Sequence, residues 1–327
     1  MYRPRLSFGC ANVGISWTTD QELEALAEVL GKSGIDHLDT AARYPPTAPG
    51  LAEELLGKGD FFNKGFKIDT KIFLKAWDAG GSMAEEAVDA SVAKSLKSLR
   101  ATKVDTLYCH GPDRVTPIST QAATIHKYFQ NGTFEHFGVS NLDATMLEEW
   151  LNVADQNGYV KPSIYQGQYN LLCRGWEHKI FPLLRRHGMR FSAFSPLAGG
   201  FLTGKLTFAT NPPESLKGTR FDMAEENLMG KAFRRWYDKE SMHSAMQYLR
   251  TSCDKVGVSM MDASLRWIAF HSFLREGDEI VFGATSPEQI ETIAKAVSDG
   301  PLPQSLVDDI DRLWEACKTD GEMILEY

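Results

Sequence analysis

Phe66-Lys-Ile-Asp-Thr-Lys-Ile72, a helical stretch from Met83 to Arg100, and Val104-Asp-Thr-Leu-Tyr-Cys109 form the segment whose reading decides the fold. Two short strand-like runs flank a helix on which Val88, Val92, Leu96 and Leu99 line one face. The same alternation continues in both directions. Before it lie strand-like Leu6-Ser-Phe-Gly9, a helix capped at Thr18-Thr-Asp20 and closed by Gly31 and Gly34, and strand-like His37-Leu-Asp-Thr40. After it come a helix around Ile118, Ala122 and Ile125, strand His136–Val139, and a helix carrying Met146, Leu147, Trp150 and Leu151. Strand Ser163–Gln166, a helix with Phe181, Leu184 and Arg185, and strand Arg190–Phe194 follow. A long gap holds a Gly/Pro/charge-rich stretch and two helices, near 240–255 and 259–271, before strand Glu279–Phe282. Helices near 287–297 and 304–316 end the chain. Eight strands, nearly all followed by a helix, with no repeat and no linker, predict one (β/α)8 barrel over residues 1–327. The doubly wound open sheet is the alternative. It usually carries Gly-x-Gly-x-x-Gly after the first strand, and Gly9-Cys-Ala-Asn-Val-Gly14 does not match.

Composition agrees with a globular protein of that size. The chain has 327 residues, 43 % of them hydrophobic and 24 % charged. A net charge of -8 and the lack of a basic run argue against nucleic-acid binding. Apolar runs are too short to span a bilayer, and the start lacks the apolar core of a signal peptide. Cys10, Cys109, Cys173, Cys253 and Cys317 are odd in number and scattered, without Cys-x-x-Cys. That pattern fits a reduced, cytoplasmic chain with no disulfide framework and no metal.

A barrel places its active site at the C-terminal ends of the strands. Those ends carry Asp39, Lys71, His110, Ser140 with Asn141, Gln166 and Ser195, and Tyr44 lies five residues beyond Asp39. Singly, each has a bland reading: a helix-capping aspartate, a solvated loop lysine, a turn histidine, a surface ring. An acid, a lysine, a histidine and a tyrosine brought to one mouth form a proton-transfer set.

Leu38-Asp-Thr-Ala-Ala-Arg-Tyr44, Asp69-Thr-Lys71, Leu107-Tyr-Cys-His110, Gly138-Val-Ser-Asn141, Tyr165-Gln166 and Ser195-Pro-Leu-Ala-Gly-Gly-Phe-Leu-Thr-Gly-Lys205 resemble, in order, the aldo-keto reductases. The likeness runs from Phe8 to about residue 316 and is strongest to the aflatoxin-aldehyde reductase branch and its fungal relatives. It implies NADPH-dependent reduction of a small-molecule carbonyl by a monomer or homodimer. Tyr44 gives a proton to the carbonyl oxygen while the nicotinamide gives a hydride to the carbon. Lys71 lowers the phenol's pKa, Asp39 keeps Lys71 charged and aimed, and His110 orients the substrate. The resemblance places Ser140, Asn141 and Gln166 on the nicotinamide carboxamide and Phe194 as a ring stacked on the nicotinamide. From composition alone, Phe194 reads more readily as a core aromatic.

Further cofactor contacts implied by the resemblance are Asp39, Ser195, Pro196, Leu197, Gly199, Leu202, Gly204 and Lys205. Gly199–Lys205 nearly spells a Walker A loop, but Leu206 stands where Ser or Thr must hold magnesium, so nucleoside triphosphate hydrolysis is rejected. Gly283, Ser286 and Gln289 lead into a helix whose N-terminus suits the adenosine 2′-phosphate, with Lys205 and Arg220 as partners. Here the chain departs from the family. The branch has an asparagine where Ile293 stands, and many other members have an arginine where Gln289 stands. The chain end also lacks a base after Lys318, so Glu322 and Glu326 face any charged substrate tail if that end folds over the mouth. Met323, Ile324, Leu325 and Tyr327 then offer apolar contact, while Lys231 is the one cation able to swing in. A neutral aromatic or bulky carbonyl is therefore expected. Two further readings are a redox-sensing regulatory subunit with little turnover, and a tailoring enzyme of fungal secondary metabolism with a polyketide-like substrate.

Overall fold

The computed structural model describes residues 4–74, 80–225 and 227–325. Eight parallel strands close into a barrel in chain order, β8 returning to pair with β1. They are β1 (Arg5–Gly9), β2 (His37–Asp39), β3 (Lys67–Lys71), β4 (Val104–Cys109), β5 (Phe134–Ser140), β6 (Ile164–Gln168), β7 (Arg190–Phe194) and β8 (Glu279–Phe282). The open-sheet alternative is thereby excluded. Around the barrel run α1 (Asp20–Lys32), α2 (Leu51–Lys58), α3 (Glu85–Leu99), α4 (Ile118–Gln130), α5 (Ala144–Asn157), then the short α6 (Trp176–Lys179) and α7 (Phe181–Arg186). The β7–β8 insertion holds α8 (Pro212–Ser215), α9 (Leu228–Tyr237), α10 (Glu240–Val256) and α11 (Met260–Phe270). Finally, α12 (Pro287–Ser298) follows β8, and α13 (Gln304–Met323) closes the described chain.

Local chemistry sets several boundaries. Thr19 and Glu22 form a reciprocal capping box at the start of α1, and Asp143 and Ser259 cap α5 and α11 through their side chains. The α2 helix has no such signal. It begins after Gly50 in a left-handed conformation, behind a Pro-rich turn, and reading the sequence alone passes it over. The α9 helix is likewise passed over, between the Gly/Pro/charge-rich stretch from Gly199 to Arg220 and the helix expected near 240–255.

The apolar core lies between the barrel and its helices. Leu38, Ile68, Leu107, Phe137, Tyr165, Phe191 and Ile280 of the strands share it with Leu26, Val88, Ile125, Leu147 and Trp150 of the helices. The alternate, inward positions are strongly polar: Ser7, His37, Asp39, Asp69, Lys71, Gln166, Ser192 and Glu279 are all buried. Branched aliphatic residues usually dominate that interior. Here hydrogen bonds and ion pairs do the filling, including Arg5 to Glu279 at 3.0 Å and Ser192 Oγ to Glu279 Oε2 at 2.7 Å. Tyr108 occupies the middle of the barrel because its neighbour is Gly138. A Cβ there would stand 2.2 Å from the tyrosine ring.

The chain end corrects the expected apolar contact surface. The α13 helix continues to Met323, and Ile324 and Leu325 are buried in the core, Leu325 lying against Gly175. Of the tail's apolar side chains within the described residues, only Met323 is exposed. Glu326 and Tyr327 lie outside the described residues.

Candidate active site

Strand register brings the sequence-selected groups together. Asp39 ends β2, Lys71 ends β3, His110 follows β4, and Gln166 lies across from Ser140 of β5. Lys71 Nζ donates to both Asp39 oxygens at 2.7 Å and to the Thr40 carbonyl at 2.8 Å. The pair is buried, Lys71 at 1 % and Asp39 at 3 % exposure. A buried charge persists only when compensated, and all three of this ammonium's donors are used. Its nitrogen lies 5.0 Å from the centre of the Tyr44 ring, and the His110 ring meets Tyr44 edge-on at 5.6 Å.

Protonation follows from that geometry. Burial alone would lower Lys71, but Asp39, through its charge and its hydrogen bonds, holds it above the ordinary lysine value. Burial raises Asp39, opposed by Lys71 and by the Gln166 amide. Burial, then the charges of Lys71 and Arg43, push His110 well down, so its imidazole is neutral. Tyr44 departs from expectation. Burial raises its phenol above the ordinary value and outweighs the pull of Lys71. The phenol therefore rests fully protonated, which is the form a proton donor needs.

The expected cofactor residues fall into three groups. In the first, Asn141 takes a left-handed conformation just past β5, with φ of 60°. Its Nδ2 donates to Ser140 Oγ at 3.0 Å, while its Oδ1 is buried without a hydrogen-bond partner among the described residues, as a carboxamide donor requires. Gln166 instead spends its amide on Asp39 Oδ1, at 2.8 Å. Phe194 is half-buried at the end of β7, not a sealed core ring.

The second group is the turn after β7. Ser195, Ala198, Gly199, Gly200 and Gly204 all have positive φ, and the single turns of Ala198–Thr203 are broken at the two glycines. Pro196 is buried and Leu197 half-buried; Leu202 is wholly buried in the core, and Lys205 is exposed. The loop is pinned from behind, since Asn170 Nδ2 donates to the Ser195 carbonyl at 3.1 Å and to Tyr237 Oη at 2.9 Å. Gly199 touches Phe233 of α9, where a Cβ would come within 2.4 Å of the ring. Neither Asn170 nor Tyr237 carries a local sequence signal, because 67 residues separate them.

In the third group, Gly283 is exposed and Ser286 is the N-cap of α12. Gln289 accepts from Thr285 N and Oγ1, at 2.9 and 3.2 Å, so it serves as a capping residue. Ile293 is buried in the core. Arg220 sits 5.4 Å from the Phe233 ring, where burial lowers its pKa.

A barrel mouth with a tyrosine above a buried Lys–Asp pair, a neutral histidine and a glycine turn beyond β7 defines a carbonyl–alcohol oxidoreductase. The chain belongs to the aldo/keto reductase family, whose model matches residues 5–315. It is 34 % identical to an aldo-keto reductase of Pseudocercospora fijiensis over 90 % of this chain and 98 % of that one. It is 35 % identical to the oxidoreductase sirO of Leptosphaeria maculans over 97 % and 96 % of the two chains. Aflatoxin B1 aldehyde reductase member 2 of Rattus norvegicus is 33 % identical over 86 % of this chain and 77 % of its own. The fold also matches a glycerol dehydrogenase from Gluconobacter oxydans, with TM-score 0.72 and 23 % identity over 94 % and 90 % of the chains. No helix among the described residues is long and apolar enough to cross a membrane.

Proposed function

We propose that this protein reduces an aldehyde or ketone to an alcohol with NADPH, Tyr44 giving the proton. The observation that carries the reading is the fully bonded Lys71–Asp39 pair beneath the Tyr44 ring, with neutral His110 at its edge. The orphaned Asn141 oxygen, the positive-φ turn after β7 and half-buried Phe194 fit a nicotinamide dinucleotide. When bound, that cofactor supplies the hydride. Asn141 and Ser140 would hold its carboxamide, the turn from Ser195 to Gly204 its pyrophosphate, and the α12 N-terminus with Lys205 and Arg220 the 2′-phosphate.

The chain's own groups account for the proton. Tyr44 holds it at rest because its burial disfavours phenolate. Charge develops on the phenolic oxygen only as the proton leaves, and Lys71 is already in place to stabilise it. That interaction strengthens along the reaction and so lowers the barrier. Neutral His110 offers a ring N–H that orients the carbonyl oxygen beside the Tyr44 hydroxyl.

Substrate class follows from the rim. Ile15, Phe73 and Val115, on the loops after β1, β3 and β4, and Met223 and Met229 in the insertion are exposed apolar side chains. They suit a neutral aromatic or bulky carbonyl. The five cysteines are buried and free, which supports a reducing, cytoplasmic setting. The test is NADPH consumption against a panel of aldehydes, ketones and diketones. Turnover supports the reading, whereas failure with every carbonyl, with nucleotide still held, points to a regulatory subunit.

A further inference from the structure

Four carboxylates lie close together in this barrel, and three of them have a basic side chain of their own. Asp39 is held by Lys71, Glu279 by Arg5 at 3.0 Å, and Asp105 faces His37 at 3.6 Å. Asp69 has none among the described residues. It is fully buried, both its carboxyl oxygens lack hydrogen-bond partners among the described residues, and β2–β3 register sets it directly beside Asp39. The β3–β4 register places Thr106 opposite it, and the Thr106 and Tyr108 hydroxyls are buried and equally unpartnered. The charged and titratable groups facing it are Arg5 of β1, His37 and Asp39 of β2, Asp105 and Tyr108 of β4, Glu279 of β8, and Lys71 on its own strand.

Adjacent carboxylates in a desolvated site do not both ionise; the one with the poorer donors keeps the proton. Asp39 receives three charge-assisted or amide hydrogen bonds and Asp69 receives none. We propose that Asp69 is a positioning residue for the proton transfer, staying protonated so that Lys71 answers to Asp39 alone and the rest of its charge acts on Tyr44. The inference rests on the carbonyl-reductase reading. Its physical consequence is an alkaline step. Burial, Glu279 and Asp39 raise Asp69 to about 8. Above that pH its ionisation sets a second anion against Lys71, offsets part of the ammonium's pull on the developing phenolate and weakens Tyr44 as an acid.

The experiment follows NADPH-dependent reduction of an uncharged aryl aldehyde from about pH 6 to about pH 10 in wild type and Asp69→Asn. Wild-type kcat is expected to fall about tenfold through a step near pH 8, and Asp69→Asn to lack that step. A step of the same size in both proteins, or in neither, overturns the proposal. The amide mimics the protonated acid in shape and donors, so an Asp69→Asn protein that does not fold overturns it too. Infrared spectroscopy keeps the test separate from catalysis. Wild type should show a protonated-carboxyl C=O band near neutral pH that disappears at alkaline pH and is missing from Asp69→Asn. No such band in wild type, or its persistence in the variant, contradicts the assignment even if no substrate is turned over.

Discussion

Lys71 and Asp39 are each other's solvation, and removing either strands the other. Lys71→Met leaves Asp39 buried without its cation, a loss worth about 3–5 kcal/mol in comparable pairs. We expect a lower Tm and a loss of most turnover together, checked by calorimetry and steady-state kinetics. His110 gives a different outcome. Its imidazole is held well below the ordinary value by burial, Lys71 and Arg43, so it stays neutral across the working range. The kcat profile should therefore show no histidine limb between about pH 5 and about pH 8, which a pH–rate series checks. Asp69 carries a stability consequence apart from catalysis. Its folded pKa is raised to about 8 from the ordinary 3.8, so its contribution is intact below the unfolded value and lost as pH rises through the folded one. Asp69→Asn removes that penalty. Urea titrations should find the variant's advantage growing by up to about 1.4 kcal/mol per pH unit between about pH 5 and about pH 8.

At the element scale, the turn after β7 is a device built from glycine and backed by α9. Gly199 has φ of 66° and faces Phe233 closely, so Gly199→Ala combines a left-handed strain with a clash. We expect a loss of about 1–3 kcal/mol in stability and a raised Kd for NADPH, measured by urea unfolding and by fluorescence titration. This turn also shows where sequence reading ends. The glycines from Gly199 to Gly204 are legible as a loop that bends sharply, and strand ends at Asp39, Lys71 and Asn141 are legible from the strand pattern. Two things are not: the support that Asn170 and Tyr237 give to Ser195, and the diversion of Gln166 and Gln289 to Asp39 and to a helix cap. Those are long-range or competing hydrogen bonds, and no local spacing encodes which partner wins.

Over the whole molecule, the eight-fold alternation was legible because each strand is short and apolar on its outer face, and each long helix repeats at 3.6 residues. The polar barrel interior was in plain view as alternate residues, yet its charge balance depends on register across five strands. The net direction of the Tyr44 pKa is hidden for the same reason: the lysine that pulls it down is readable from sequence, and the depth of burial that outweighs it is not. Substrate preference also belongs to this scale, since the rim residues come from loops spread over most of the chain. An uncharged aryl aldehyde should give a higher kcat/KM than succinic semialdehyde, because the exposed side chains at that rim, Ile15, Phe73, Val115, Met223 and Met229, are apolar. A clear advantage for the carboxylated substrate would refute that.

The central claim is that Tyr44 donates the proton in a carbonyl reduction. Single-turnover and steady-state NADPH oxidation with an uncharged aryl aldehyde, compared between wild type and Tyr44→Phe, tests it directly, with nucleotide affinity read in parallel by fluorescence quenching. The account predicts that the phenylalanine variant binds NADPH as wild type does and loses on the order of 10² to 10⁴ in kcat. Near-normal turnover in Tyr44→Phe would contradict it.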